Sequence, residues 1–225
     1  DMAIGLALLI GFRLPENFDR PYTATSIQDF WARWHMTLSR WLRDYLFAPL
    51  ARSRRHAATV YLSIVAVMLI AGLWHGAAWG FVAFGGVHGV AMATERWRRD
   101  RRRRHRRGTP PHTAGRQLVR RVLTFHIVCL GWVFFATPSL TAAGQLLRGV
   151  ATNWRTPVTL LTPLLLLAVA AVIAVQYVRT SRIERAVAAA RGWHPAVQAL
   201  AFAVATIPVL AMSPTTVPAF IYYRF

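Results

Sequence analysis

A-G-L-W-H-G-A-A-W-G-F-V-A-F-G-G-V-H-G, residues 71–89, places His75 and His88 inside a run with no charged residue from Ala57 to Thr94. A bilayer core takes roughly 20 apolar residues per helix, so the run has room for about two passes. An ionisable side chain in such a setting is costly and is read as functional by default. Trp74 and Gly76 flank His75, and Gly72 and Gly80 lie just beyond. Glycine at this density lets a helix break and lets helix backbones or a ligand approach closely. Residues 57–93 therefore read as a hairpin of two spanning helices, broken near Trp74-His75-Gly76.

Composition points the same way. The 225 residues are 55% hydrophobic, with nine Trp and twelve Phe, which describes an integral membrane protein better than a soluble globule. All 27 basic residues are Arg, against eight acidic ones, for a net charge of +19. Most of these arginines lie between apolar runs, as expected of cytoplasmic loops. No aromatic-basic recognition motif accompanies them, so nucleic acid is not an expected partner. The single Cys129, in an apolar run, excludes an intrachain disulfide framework.

Met2 to Phe12 reads as the tail of a spanning helix. The chain begins at Asp1 with this apolar run already under way, so it reads as a fragment starting inside a longer protein. Residues 13–22, R-L-P-E-N-F-D-R-P-Y, form a loop by their prolines, Asn and Asp. Ser26 with Asp29 three residues on resembles a capping box and starts an amphipathic helix from Ile27 to about Phe47. Asp29, Arg33, Met36, Arg40 and Asp44 fall on one mostly polar stripe, with Asp29–Arg33 and Arg40–Asp44 as i,i+4 ion pairs. Trp31, Trp34, Leu38, Trp41, Leu42 and Tyr45 fill the other face. Three tryptophans on one short helix suit the water–lipid interface, so the element lies there or re-enters between helices.

Pro49 ends that helix, and Arg52, Arg54, Arg55 and His56 mark a loop. Residues 96–108 read as a solvated basic loop on the cytoplasmic side, touching anionic headgroups. Both flanks of the hairpin are then cytoplasmic, and its tip near His75 lies deep in the bilayer or toward the far side. Further apolar runs, Val122–Ala136, Leu160–Val178 and Ala196–Met212, give additional transmembrane helices within 117–225, with 179–191 as a basic connection. The terminal P-A-F-I-Y-Y-R-F reads as an interfacial anchor. The expected fold is all-α: a polytopic transmembrane helical bundle with an interfacial or re-entrant amphipathic helix. Residues 1–225 form one membrane domain, with a motif-bearing core at 1–95.

Among eight histidines, His56, His105 and His112 sit in basic or Pro-rich loops, His126 lacks an acidic neighbour, and His194 precedes Pro195. That leaves three. A neutral imidazole buried at position 75 is available as a general base; the alternative is a structural histidine bonded across helices. His88, with Glu95 on the same helical face, suits a supporting or packing role. His35 suits substrate orientation, support of His75, or packing among the tryptophans. No metal-ligand spacing, phosphate loop, nucleophile elbow or dinucleotide fingerprint is present.

Taken in order, D-M-A-I-G (1–5), P-E-N-F (15–18), P-Y (21–22), D-F-W-A-R-W-H-M-T-L-S (29–39), W-L-R-D-Y-L (41–46), L-W-H-G-A-A-W (73–79) and H-G (88–89) resemble the membrane-bound O-acyltransferases. C-L-G-W-V-F-F (129–135) and F-I-Y-Y-R-F at the end fit the same branch, that of alginate O-acetyltransferases and teichoic acid D-alanyl transfer proteins. The resemblance covers about the C-terminal half of a family member. It implies a helical bundle with a tunnel, a catalytic His75, a second functional His35, and Trp34, Trp74 and Asp44 as substrate-binding neighbours.

It further implies acetyl-CoA as acyl donor from the cytoplasm and no tightly bound cofactor. The acceptor would be an extracytoplasmic hydroxyl, on a polysaccharide such as alginate or on a partner protein that passes the acetyl group on. The setting implied is a bacterial plasma membrane, with lipid as a further partner; Arg52 to Arg55 are candidates to attract the CoA phosphates, with contact to lipid headgroups the simpler account. Two features depart from the family pattern: Ala51-Arg52-Ser53-Arg54 stands where a Gly-Gly pair is common, and the preceding helices are missing. A transporter or channel, or a non-catalytic component of a polysaccharide-export complex, are the competing readings.

Overall fold

The computed structural model describes residues 2–52, 57–105, 113–153, 162–178 and 180–211, and every regular element among them is helical. A helical hairpin is present where the sequence placed it, but of its two helices the first alone is long and apolar enough to cross a membrane. Helix α5 (Ala57–Trp74) and helix α6 (Trp79–Arg104) are separated by a four-residue turn at 75–78. Their packing is set by glycine. A Cβ on Gly72 would strike the Phe81 carbonyl, one on Gly85 would strike the Met68 carbonyl, and one on Gly89 would lie 3.0 Å from Val65 Cα. Contact at this range brings the backbones together, as small residues do between helices in lipid.

The arginine run corrects the expectation of a loop at 96–108, because α6 continues as helix through Arg104. Arginine is a good helix former, and four arginines in the last turn sit on the negative end of the helix dipole. Arg96 pairs with Asp100 at 3.0 Å, and the Tyr61 hydroxyl donates to the same carboxylate at 3.2 Å, tying the two helices together near their basic ends.

Upstream, α1 (Met2–Leu9) leads through the loop to a 3-10 turn (Pro21–Thr23) and α2 (Ile27–Arg33). The expected start of α2 is found: Ser26 Oγ accepts from the Asp29 amide at 3.0 Å, and Asp29 pairs with Arg33 at 2.8 Å. The expected single helix from Ile27 to Phe47 is not. The chain breaks at Trp34–His35, resumes as α3 (Met36–Trp41), widens into a π-helical turn (Leu42–Phe47) and ends as α4 (Ala48–Leu50). A π turn takes more residues per revolution, so positions four apart no longer stack. Asp44 accordingly pairs with Arg43 at 2.8 Å, and no Arg40–Asp44 pair occurs among the described residues. The apolar face changes too: Trp31 and Leu42 are buried, whereas Trp41 and Tyr45 are exposed.

Helix α7 (Ala114–Ala136) begins earlier than the apolar run suggested, because Thr113 caps it by accepting from the Arg116 amide. It packs along α6, where a Cβ on Gly80 would lie 2.6 Å from the Phe134 carbonyl. Helix α8 (Leu140–Thr152), capped by Ser139, was not expected; two glycines in a short segment hid its periodicity. Helices α5 and α7 are long and apolar enough to cross a membrane. Leu62, Leu118 and Leu123 on them are exposed, as side chains facing lipid would be.

The chain divides into two compact units, residues 1–169 and 170–225. Helix α9 (Pro163–Val175) carries the first of the late apolar runs. In the second unit α10 (Thr180–Arg191) is a helix where the sequence suggested a connecting segment, and α11 (Pro195–Ala211) carries the last apolar run. The expected C-terminal anchor at 218–225, His56, His112 and residues 53–55 of the basic loop lie outside the described residues.

Candidate active site

The turn between α5 and α6 presents His75. Its amide donates to the Gly72 carbonyl at 3.0 Å, and the Gly76 amide to Leu73 at 3.0 Å, so the helix ends by tightening. Gly76 then takes φ 154°, and a Cβ on it would lie 2.6 Å from the Phe81 ring, so only glycine fits. The His75 imidazole is half-buried in an aromatic socket. Trp74 stands edge-on at 4.9 Å, Phe135 of α7 at 5.0 Å, and Phe81 and Phe84 of α6 at 6.2 Å.

Helix α2 leads the chain to His35. It runs antiparallel to α6, and its position there is fixed by two polar contacts. The Glu95 carboxylate accepts from the Ile27 and Gln28 amides at 2.8 and 3.2 Å, capping α2 from a neighbouring helix. One turn further, Trp31 Nε1 donates to His88 Nδ1 at 3.2 Å. Arg99 to Gln28 Oε1 at 2.6 Å and Arg120 to the Thr25 carbonyl at 3.0 Å secure the same end. One turn past Trp31, the helix breaks at His35 in the left-handed conformation, φ 43° and ψ 57°. There the His35 ring contacts Phe18 at 6.2 Å, and Phe18 meets Trp34 edge-on at 4.9 Å.

His88 is only 1% exposed. Because its Nδ1 accepts, the hydrogen-bond network assigns the proton to Nε2. That atom faces Gly131, where a Cβ would overlap it, and has no hydrogen-bond partner among the described residues. His88 stacks on Phe30 and meets Phe84 edge-on at 4.8 Å. It packs between α2 and α6 and docks the one on the other, a placement compatible with both the supporting and the packing reading of the sequence. The capping role of Glu95 was missed, although the first carboxylate after a long uncharged run was visible.

Trp34 stacks on Phe30 at 5.6 Å and meets Trp132 edge-on at 5.2 Å. Trp132 contacts Phe135 at 5.3 Å, and Phe135 contacts His75, so Trp34, Trp74, His35 and His75 belong to one aromatic assembly. Sequence reasoning quoted the 129–135 segment but gave Trp132 and Phe135 no place in the site. Asp44 is elsewhere. It lines a cavity with Arg43, Phe47, Ala48, Ala51 and Arg52, and the Arg43 hydrogen bond holds its carboxyl below the usual carboxylate range. A second groove of about 400 Å³ lies between α2–α3 and α5–α6, with Trp31, Met36, Leu42 and Met68 as walls and Arg40, Arg43 and Arg96 among its lining; neither His35 nor His75 lines it. No cluster of three metal-ligating side chains occurs among the described residues.

The model of the membrane-bound O-acyltransferase family matches residues 1–136. The chain is 41% identical over 150 residues to a peptidoglycan O-acetyltransferase of Helicobacter pylori, covering 67% of this chain and 27% of that protein. It is 43% identical over 146 residues to a probable alginate O-acetylase AlgI of Azotobacter vinelandii, covering 65% and 28%. It is 30% identical over 145 residues to a teichoic acid D-alanyltransferase of Bacillus subtilis, covering 60% and 35%. The chain thus spans 27% to 35% of the length of these relatives. With more than half its length matched, both histidine motifs included, this chain belongs to the membrane-bound O-acyltransferase family.

Proposed function

We propose that the protein is a multi-pass enzyme of the bacterial plasma membrane that moves an acetyl group from cytoplasmic acetyl-CoA to a hydroxyl on the far side. His75 is the general base. It takes the proton of the acceptor hydroxyl as that oxygen attacks the thioester carbonyl; the C–S bond then breaks, and the imidazolium returns the proton to the CoA thiolate. His35 orients the reacting groups beside it, and Trp34 and Trp74 line the approach.

One observation carries the reading: a run of ring contacts through Phe18, Trp34, Trp132 and Phe135 links His35 to His75, forty positions away in sequence at the tip of a hairpin. The opposite end of that hairpin is arginine-rich, about 27 Å away along α5, which suits a donor on one side and an acceptor on the other. His35 Nδ1 and Trp132 Nε1 are buried without hydrogen-bond partners among the described residues. Leaving such groups unpaired costs about 1–3 kcal/mol each, so a bound substrate that satisfies them would be favoured. At the basic end, the phosphates of CoA would meet Arg43 and Arg52 beside Asp44, where the arginines attract and the carboxylate sets the boundary. The named relatives act on peptidoglycan, alginate and teichoic acid, and an envelope polymer, or a partner protein serving one, is the acceptor we assign.

The test is transfer of labelled acetyl from acetyl-CoA in membranes carrying the natural protein or its His75→Ala form. Loss of roughly 10²–10⁴-fold at equal protein abundance is expected for removal of a general base. Undiminished transfer by His75→Ala would exclude this chemistry, and altered solute flux without any acetylated product would favour a transporter.

A further inference from the structure

His35 occupies the N-cap position of α3 yet makes no side-chain cap hydrogen bond there. A residue at that position ordinarily uses its own side chain to satisfy the first amides of the helix. Here the capping comes from another segment. The Asn17 carbonyl accepts from the Met36 amide at 2.9 Å, and Asn17 Oδ1 accepts from the Thr37 amide at 3.1 Å and from the Thr37 hydroxyl at 2.6 Å. Two residues on, the Asp19 amide donates to the Arg33 carbonyl at 2.9 Å, satisfying the end of α2 on the other side of the break. The loop therefore replaces, on both sides, backbone bonds that the left-handed turn at His35 removes.

Left-handed backbone is unfavourable for a non-glycine residue and persists only where its surroundings impose it. Phe18, between the two clamping residues, contacts both the Trp34 and the His35 rings. We propose that Asn17 is a positioning residue for His35: by capping α3 in its place, it holds the break open and leaves the imidazole free to face His75. The inference rests on the acyl-transfer reading above and assigns a task to an otherwise unexplained part of the P-E-N-F segment.

The experiment measures acetyl transfer from labelled acetyl-CoA in membranes containing the full natural protein, normalised to its abundance. Asn17→Ala should lower kcat by about 10- to 100-fold, the scale expected for a misplaced catalytic group, with KM for acetyl-CoA within about twofold of wild type. Asn17→Asp keeps the acceptor oxygen and should restore most of kcat. Thr37→Val removes only the hydroxyl half of the clasp and should give a smaller loss in kcat at normal abundance, which keeps the idea testable should Asn17→Ala fail to accumulate. Wild-type kcat in both Asn17→Ala and Thr37→Val would overturn the proposal, as would an Asn17→Asp form no better than Asn17→Ala. His75→Ala runs alongside: if it retains transfer, the acyl-transfer reading falls; if it is inactive while Asn17→Ala is normal, only the role of Asn17 falls.

Discussion

Trp31 and His88, on different helices and far apart in sequence, are joined by one buried hydrogen bond of 3.2 Å from indole nitrogen to imidazole Nδ1. Both side chains are nearly removed from solvent. His88→Leu would leave the Trp31 N–H without its acceptor, at a cost of about 1–3 kcal/mol. A lower unfolding temperature in detergent is the expected result. An unchanged transition would mean that the bond contributes nothing to docking α2 on α6.

Glu95 caps α2 without belonging to it. Glu95→Ala should expose the Ile27 and Gln28 amides and destabilise the start of α2 by about 1 kcal/mol, the usual scale for a lost cap. Hydrogen exchange should quicken in residues 27–31 while the α5–α6 contact stays protected. Uniform change across both regions would count against a local cap.

Gly131 makes room for the His88 ring, and Gly76 for the Phe81 ring. Gly131→Ala should destabilise by about 1–3 kcal/mol, because the ring is hemmed in by Phe30 and Phe84. Gly76→Ala adds backbone strain at φ 154° to its collision with Phe81, so it should displace His75 and reduce turnover more than binding. Comparison of stability with kcat for the two variants separates these effects.

Asp44 stays ionised at neutral pH, since hydrogen bonding to Arg43 lowers its pKa. A depressed carboxylate adds stability above its unfolded pKa and loses it as pH falls through the lower folded value. With more than half of the Asp44 side chain exposed to solvent, that contribution is small. Asp44→Asn should therefore leave the shape of the activity–pH profile above about pH 5 unchanged. A shifted limb in that range would place Asp44 in the proton transfer.

The hairpin was legible because local signals agreed: an uncharged run of the right length, interrupted by glycine beside tryptophan. Ser26 and Asp29 were legible for the same reason, as an N-cap is written within four residues. The break at His35 was not. Nothing within residues 27–47 demands it, and the bonds that compensate it come from Asn17 and Asp19 in a preceding loop. Arg40–Asp44 failed because the spacing rule assumes α geometry, which the π turn abandons. The arginine run misled because charge says where water is, and says little about whether the backbone there is helical. Of the site, the two histidines and their tryptophans were visible as motifs, whereas the socket walls Phe84, Trp132 and Phe135 depend on how α6 and α7 face each other.

Helix α6 extends without interruption from the turn beside His75 to its arginine terminus. Set in a membrane as proposed, it would act as a depth gauge. With the guanidinium end held at the aqueous boundary, the level of the imidazole is set by a count of residues, at about 1.5 Å apiece. One alanine inserted between Gly89 and Glu95 would raise or lower the tip by that step and swing it through about 100°, carrying His75 out of line with the partner that α2 delivers.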